Sequence, residues 1–370
     1  MCQAYVRGGF DPTDGTRGHS SCAGSSAGSA VAVRAGMAPA ALGTDTNGSL
    51  SAPALRAALY SLKPTLGLVP GDGILPISHR FDTAGPLAKD TRDVADLLSA
   101  MVEFRSVPNG GYVSAVGYLD SWKEINIGAL DPRTWKYSDS MVKPIADATV
   151  EIVSKTQEAY NLIKSLAKTY HSDVSLRSVD GFDIDGENSI SEALITDFES
   201  DLNRFLGTVQ NCRISTLKEL VQWNFAHADK SLPPENPNQD LLVKSLAVGD
   251  DAKRRKMLLD HMKAVGESLE DTFNKYGIDL IIGPGDCYLS QYSAALGCPH
   301  ATVPLDCLGY NGRPIGLIVI ARPYQEALLL KFMDAFEASF PARKVPTAHG
   351  LFARPPRLML FHIGAFKDQD

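Results

Sequence analysis

A chain of 370 residues with 44% apolar side chains has room for one large α/β core or two modest domains, and is too apolar for long-range disorder. A net charge of −7, with both signs mixed along the chain, offers no basic tract for nucleic acid. No run of about eighteen apolar residues is present to span a membrane, and none of the six cysteines falls in a CxxC pair, which argues against a metal site and for a reducing, cytoplasmic compartment.

The N-terminal "MCQAYVRGGFDPTDG" has no apolar h-region and is not a secretory signal. Residues 8–29 read as loop, rich in Gly, Ser, Asp and Pro. "SAGSAVAVRAGM" (26–37) predicts a small-residue helix, and "APAALGTD" after it a short strand or extended link. A helical pattern continues to Leu62, where Lys63-Pro64 ends it. Residues 91–102 predict an amphipathic helix with Thr91 as its cap and Val94, Leu97, Leu98 and Met101 on one face. "INIGAL" (125–130) reads as a buried strand. A long helix within 142–170 follows, with Ile145, Ile152, Val153, Tyr160, Ile163 and Ala167 on one face. "DVSLRSV" (173–179) is then the next strand. Strand, helix, strand favours parallel pairing. Residues 178–256 are more polar and read as a peripheral helical section. A helix from 253 stops at Gly277, and "IDLIIGPG", "ATVPL" and "IGLIVIA" are core strands before a last helix at "EALLLKFMDAFEASF". No repeat or low-complexity tract interrupts the chain. It reads as a single mixed α/β domain over 1–370.

Two stretches carry the chemistry. "LGTDTNGSLSAP" (42–53) is by itself a turn-forming composition. Twenty-four positions before Ser49 lies Ser25, in "SSCAGSSAGSAVA", with the Ala-rich helix between them. Two hydroxyls and a strong base make a nucleophile with a proton relay, since a serine hydroxyl is weak until a base activates it. Backbone N–H groups before the nucleophile can hold an oxyanion.

"AGSSAGSAVAVRAGMAPAALGTDTNGSLSAPA" resembles the signature of the amidase signature family of serine hydrolases, GGSSGGS…GTDTGGSIRxPA. The likeness continues through "SLKPTLGLVP", "FDTAGPLAKDTRDVADLL", "YGIDLIIGPG" and "GRPIGLIVIARPYQEALLLKFMDAFE", from about residue 8 to residue 340. The resemblance implies a mixed, twisted β-sheet covered by helices on both faces. It implies hydrolysis of an amide carbon–nitrogen bond by a Ser-Ser-Lys triad, without cofactor or metal, on a small-molecule amide. It leaves a homodimer open. Ser49 matches the nucleophile, and Ser25 the bridging serine that the family holds with a cis peptide bond. The N–H groups of Thr46, Asn47 and Gly48 match the oxyanion hole, and Asp45 and Ser26 are supporting residues.

Three departures stand out. The triad lysine of the family lies on a strand upstream of the Gly-Ser stretch, but the first lysine here is Lys63, in the "LKPT" block that is structural in the family. The expectation is an amidase domain lacking its N-terminal section, with slow or no turnover, unless Lys63 or Lys89 fills the empty place. Asn47 replaces the second Gly of the hole, which asparagine's tolerance of left-handed dihedrals permits. Ser51 replaces the arginine two residues after the nucleophile. A neutral contact is therefore expected in place of a buried ion pair, because Arg56 is wrongly spaced for that role.

Other readings remain open. Gly24-Ser25-Ser26-Ala27-Gly28 fits the nucleophile elbow of α/β-hydrolases, with His300, His349 or His362 as partner, but it lacks the preceding apolar strand. The alternatives to a stand-alone amidase are a non-catalytic amidase-like binding protein and an amidotransferase subunit.

Overall fold

The computed structural model describes residues 22–117, 121–139, 142, 144–233, 237–309 and 311–344. The N-terminal loop before residue 22, and His349 and His362, lie outside the described residues.

Helix α1 (Ala27–Arg34) leads into β1 (Ala40–Asp45), and α2 (Ser51–Arg56) into β2 (Tyr60–Lys63) and β3 (Thr83–Ala88). Helix α3 (Thr91–Met101), β4 (Asn126–Ala129), α4 (Ala146–Leu166) and β5 (Thr169–His171) follow. A small hairpin, β6 (Asp183–Ile184) and β7 (Glu187–Asn188), precedes four helices: α5 (Ser189–Leu206), α6 (Leu217–Ala226), α7 (Ala228–Ser231) and α8 (Asp240–Val248). Helix α9 (Ala252–Tyr276), β8 (Leu280–Pro284), α10 (Leu289–Leu296), β9 (His300–Cys307), β10 (Pro314–Ala321) and α11 (Glu326–Ser339) complete the order.

Eight strands form one sheet in the order β1-β3-β2-β9-β10-β8-β4-β5. Strand β4 is parallel to both β5 and β8, and the other pairs are antiparallel, so the sheet is mixed as expected. Alternation along the strands splits the core into two layers. Leu280, Ile282, Leu317 and Val319 face a cluster with α3, α4 and α11. Ile281, Ile318 and Ile320 face one with α5, α9 and α10. Both faces are therefore covered, which is why β8 and β10 read as unbroken apolar runs. Helices α5, α6 and α8 enclose a smaller cluster around Leu202, Leu217 and Val221.

Three expectations are corrected. The helix read through Leu62 ends at Arg56. Ala58 turns the chain with φ +54°, and Tyr60–Lys63 joins the sheet between β3 and β9, fully buried. An apolar run of this length suits either element, and here pairing on both sides decides it. Helix α3 is capped by Asp90, whose carboxylate accepts the Asp93 N–H, so Thr91 is its first turn. The strand expected at 173–179 is Thr169–His171 instead. Asp173 has φ +53°, which takes the following residues out of the sheet. Gly277 closes α9 in the left-handed region, as read from the sequence.

Candidate active site

The two serine-rich stretches meet at one end of β1. The Ser26 N–H donates to the Ser49 carbonyl (3.2 Å), and Ser26 Oγ donates to the Thr44 carbonyl (2.9 Å) while accepting the Thr44 N–H (3.0 Å). Ser26 thus ties the start of α1 to the strand that delivers the second stretch. Gly24 lies so close that a Cβ there would meet Pro53 at 2.7 Å and the Ser49 carbonyl at 2.9 Å. Only glycine fits this approach, and its φ of +59° agrees. Because Ser26 Oγ is buried and bonded in this way, the nucleophile-elbow reading has no free hydroxyl to use.

Ser49 is half-buried and Ser25 is exposed. Among the described residues no hydrogen bond joins their hydroxyls, and no peptide bond is cis, so the Ser25 linkage is trans here. A cis bond before a residue other than proline costs about 3 kcal/mol and persists only where its surroundings enforce it, which the exposed Ser25 does not provide.

Asp45, fully buried at the end of β1, organises the loop that follows. Its Oδ1 accepts the Gly48 N–H (2.8 Å) and its Oδ2 the Leu50 N–H (2.7 Å), on either side of Ser49. Two amides converging on one carboxylate fix the loop more tightly than an ordinary Asx turn. The same bond corrects the expected oxyanion hole: the Gly48 N–H is spent inward on Asp45. Among the described residues the Thr46, Asn47 and Ser49 amides carry no backbone partner outside helices and strands. Asn47 does not need a left-handed conformation, because Gly48 takes it (φ +97°). Its Oδ1 instead accepts a hydrogen bond from Ser290 on α10 (3.4 Å). Thr46 Oγ1 donates to Asp82 (2.6 Å), whose other oxygen accepts the Ile77 and Ser78 N–H groups.

Behind Asp45 lies a buried polar group that sequence reading missed. Lys63 and His300 are direct partners across β2 and β9, each 1% exposed. Both reach Ser293 Oγ on α10, Lys63 Nζ at 3.2 Å and His300 Nδ1 at 2.9 Å. His300 Nε2 stands 3.9 Å from Asp45 Oδ2. Burial pushes the imidazole down to about 4, against the pull of Asp45, so it is neutral near pH 7 and this contact is no ion pair. Lys63 therefore bonds Ser293 rather than Ser25. Lys89 leaves β3 at the end where Ala88 pairs with Ala40, five residues or about 16 Å along the ladder from Asp45. Neither lysine takes the place of a base at Ser25.

A neutral contact was expected where the family has an arginine after the nucleophile. Ser51 makes one, its Oγ donating to the Gly48 carbonyl (3.3 Å). Arg56 at the end of α2 bonds Asp286 (2.5 Å), and Arg313 bonds the other oxygen (2.6 Å). Burial would raise the Asp286 carboxyl, but the two guanidinium groups outweigh it and hold it below the usual range. A cavity of about 350 Å³ lined by Leu66, Arg80, Phe81, Leu259, Leu296 and Tyr324 includes neither serine. Among the described residues no cluster of His, Cys, Asp and Glu is arranged to hold a metal, and no helix is long and apolar enough to cross a membrane.

Comparison with known proteins places this fold and loop in one family. The chain belongs to the amidase family, whose model matches residues 11–285. A Schizosaccharomyces pombe protein named as an amidase is 25% identical over 347 residues, 85% of this chain and 58% of that one. A glutamyl-tRNA(Gln) amidotransferase subunit from Staphylococcus saprophyticus is 27% identical, over 86% of this chain and 67% of its own length. The peptide amidase of Stenotrophomonas maltophilia superposes with a TM-score of 0.74 at 26% identity, over 88% of this chain and 67% of that one. The chain thus spans about three fifths of the length of the first of these relatives.

Proposed function

We propose that this chain cleaves the carbon–nitrogen bond of a small amide through an acyl-enzyme on Ser49. The observation that carries the reading is the double grip of Asp45 on the amides flanking Ser49, which presents that side chain on a fixed turn beside the Ser25 stretch. In this reading Ser49 Oγ attacks the carbonyl carbon, its proton passes by way of Ser25 to the departing amine, and water then releases the acid. Of the three amides expected to hold the oxyanion, Gly48 is committed to Asp45, so the task falls to Thr46 and Asn47, with the Ser49 N–H beside them. The test is amine release from a small aromatic amide, together with the mass of the peptide bearing Ser49 during turnover. An acyl adduct on that peptide, and loss of turnover in Ser49→Ala, are expected. Undiminished turnover by Ser49→Ala would overturn the proposal.

A non-catalytic binding protein is the second reading. It is favoured by one observation: among the described residues no lysine or histidine bonds either serine hydroxyl. A positioned base supplies ~10²- to 10⁴-fold. If only that base is wanting, added ethylamine should raise turnover about tenfold in the parent chain and leave Ser49→Ala unmoved. A binder would show no response to the amine.

A further inference from the structure

We propose that Lys63 is a positioning residue for Ser49: its buried ammonium is the counter-charge of Asp45, and so holds the Gly48 and Leu50 amides in place. This rests on the amidase reading for its effect on catalysis, though not for its effect on the loop.

The argument begins with hydrogen-bond capacity. A serine hydroxyl has one proton to give and two lone pairs to offer. Ser293 Oγ gives its proton to the Cys298 carbonyl (2.5 Å). It must therefore accept from both Lys63 and His300, so His300 carries its proton on Nδ1. A neutral imidazole in that tautomer turns a bare Nε2 toward Asp45, and this nitrogen has no hydrogen-bond partner among the described residues. His300 thus spaces the two charged groups and neutralises neither.

Asp45 is 0% exposed, and a buried carboxylate is stabilised by a nearby cation in addition to the amides it accepts. Neighbouring guanidinium groups already serve other acids: Arg56 and Arg313 bond Asp286, and Arg80 lies against Asp197. Lys63 remains. Burial draws its ammonium down in pKa, and Asp45 is the foremost group that draws it back up, ahead of Cys298 and Asp82. In this assignment Ser293 holds the ammonium by its hydrogen bond, one side chain away from Asp45.

The chain of effect is short. Removing the ammonium leaves the buried Asp45 carboxylate without its counter-charge, so the loop around it loosens or admits water. Either change weakens its hold on the amides that flank Ser49. Lys63 touches no substrate in this account.

The experiment is a double-mutant cycle on the full chain with Lys63→Met, Asp45→Asn and both together. Hydrogen exchange of the 46–51 segment and kcat and KM for a small aromatic amide are the readouts. Lys63→Met should speed exchange in that segment by about tenfold or more while α9 amides keep their rates. It should lower kcat by about 10²-fold, the scale of losing one oxyanion donor, with KM within about twofold. Adding Asp45→Asn to Lys63→Met should cost far less than Asp45→Asn alone, because the pair has already been broken. If Lys63→Met does not fold, the charge-neutral double variant should recover folding. Unchanged exchange in a folded Lys63→Met, additive effects, or a double variant no better folded than either single would overturn the proposal. If the parent chain turns over no amide, the amidase reading fails, and the exchange data still decide the role of Lys63.

Discussion

Asp45 gives both carboxylate oxygens to the five residues that follow it, and this sets the conformation of Ser49 more than any residue of the loop itself. Asparagine at 45 keeps the shape and loses the chemistry. It offers one acceptor where two N–H groups converge, and turns an NH2 toward one of them. It also strands the ammonium of Lys63. Asp45→Asn is therefore expected to lower stability by roughly 3 kcal/mol, the scale of breaking a buried charged pair, as read from urea denaturation. At this scale part of the site was legible in the sequence. Ser25, Ser49 and Asp45 stand within twenty-five positions and in a recognisable order. Lys63, Ser293 and His300 were not legible as a group, because 230 residues separate Lys63 from Ser293 and only the β2–β9 pairing brings them together. The commitment of the Gly48 N–H to Asp45 was likewise invisible, since spacing counts donors but does not aim them.

At the scale of elements, β2 and β3 pack with no room to spare. A Cβ on Gly85 would lie 2.2 Å from the Leu62 carbonyl and 2.6 Å from Leu50, which caps the loop carrying Ser49. Backbone cannot retreat as a flexible side chain can. Gly85→Ala is expected to cost at least about 2 kcal/mol by overpacking, whereas Gly71→Ala, which meets nothing within 4 Å, should be nearly neutral. Comparing the two midpoints in urea checks this. Elements with a clear period were legible: α3, α9 and α11 from their apolar stripes, β8 and β10 from their continuous apolar runs. The segment from Leu55 to Leu62 was not, because Ala and Leu satisfy a helix as well as a buried strand. Its outcome depends on Ala58 and on neighbours on both sides, 26 to 28 and 237 to 241 residues away.

For the molecule as a whole, His300 gives stability a pH dependence with a definite sign. The unfolded chain takes up a proton on this imidazole near 6.5, while the folded chain holds it only near 4. Its contribution is complete above pH 6.5 and declines as pH falls through that window, the loss reaching about 3 kcal/mol by pH 4. His300→Gln should flatten the decline between pH 6.5 and 4, measured as the urea midpoint against pH. Parallel curves for the two proteins would contradict this assignment. Asp286 acts lower: its carboxyl is depressed, so its share is present above the ordinary carboxylate range and is lost as pH falls through its still lower folded value.

The placement of β2 has a further consequence, for the time at which the site comes into being. Ser61 on this strand bonds Thr302 on β9, a contact spanning 241 residues, and the Lys63–Ser293 bond spans 230. Closing loops of that length is slow, and during synthesis it cannot begin until the later partner has left the ribosome. The serine stretches are made before β9 and wait, with one edge of β2 unpaired, until that strand arrives. A nascent chain that has not yet made β9 holds every residue of the serine loop but neither His300 nor the strand that pairs with the free edge of β2. The turn that carries Ser49 therefore gains this support only after β9 has been made.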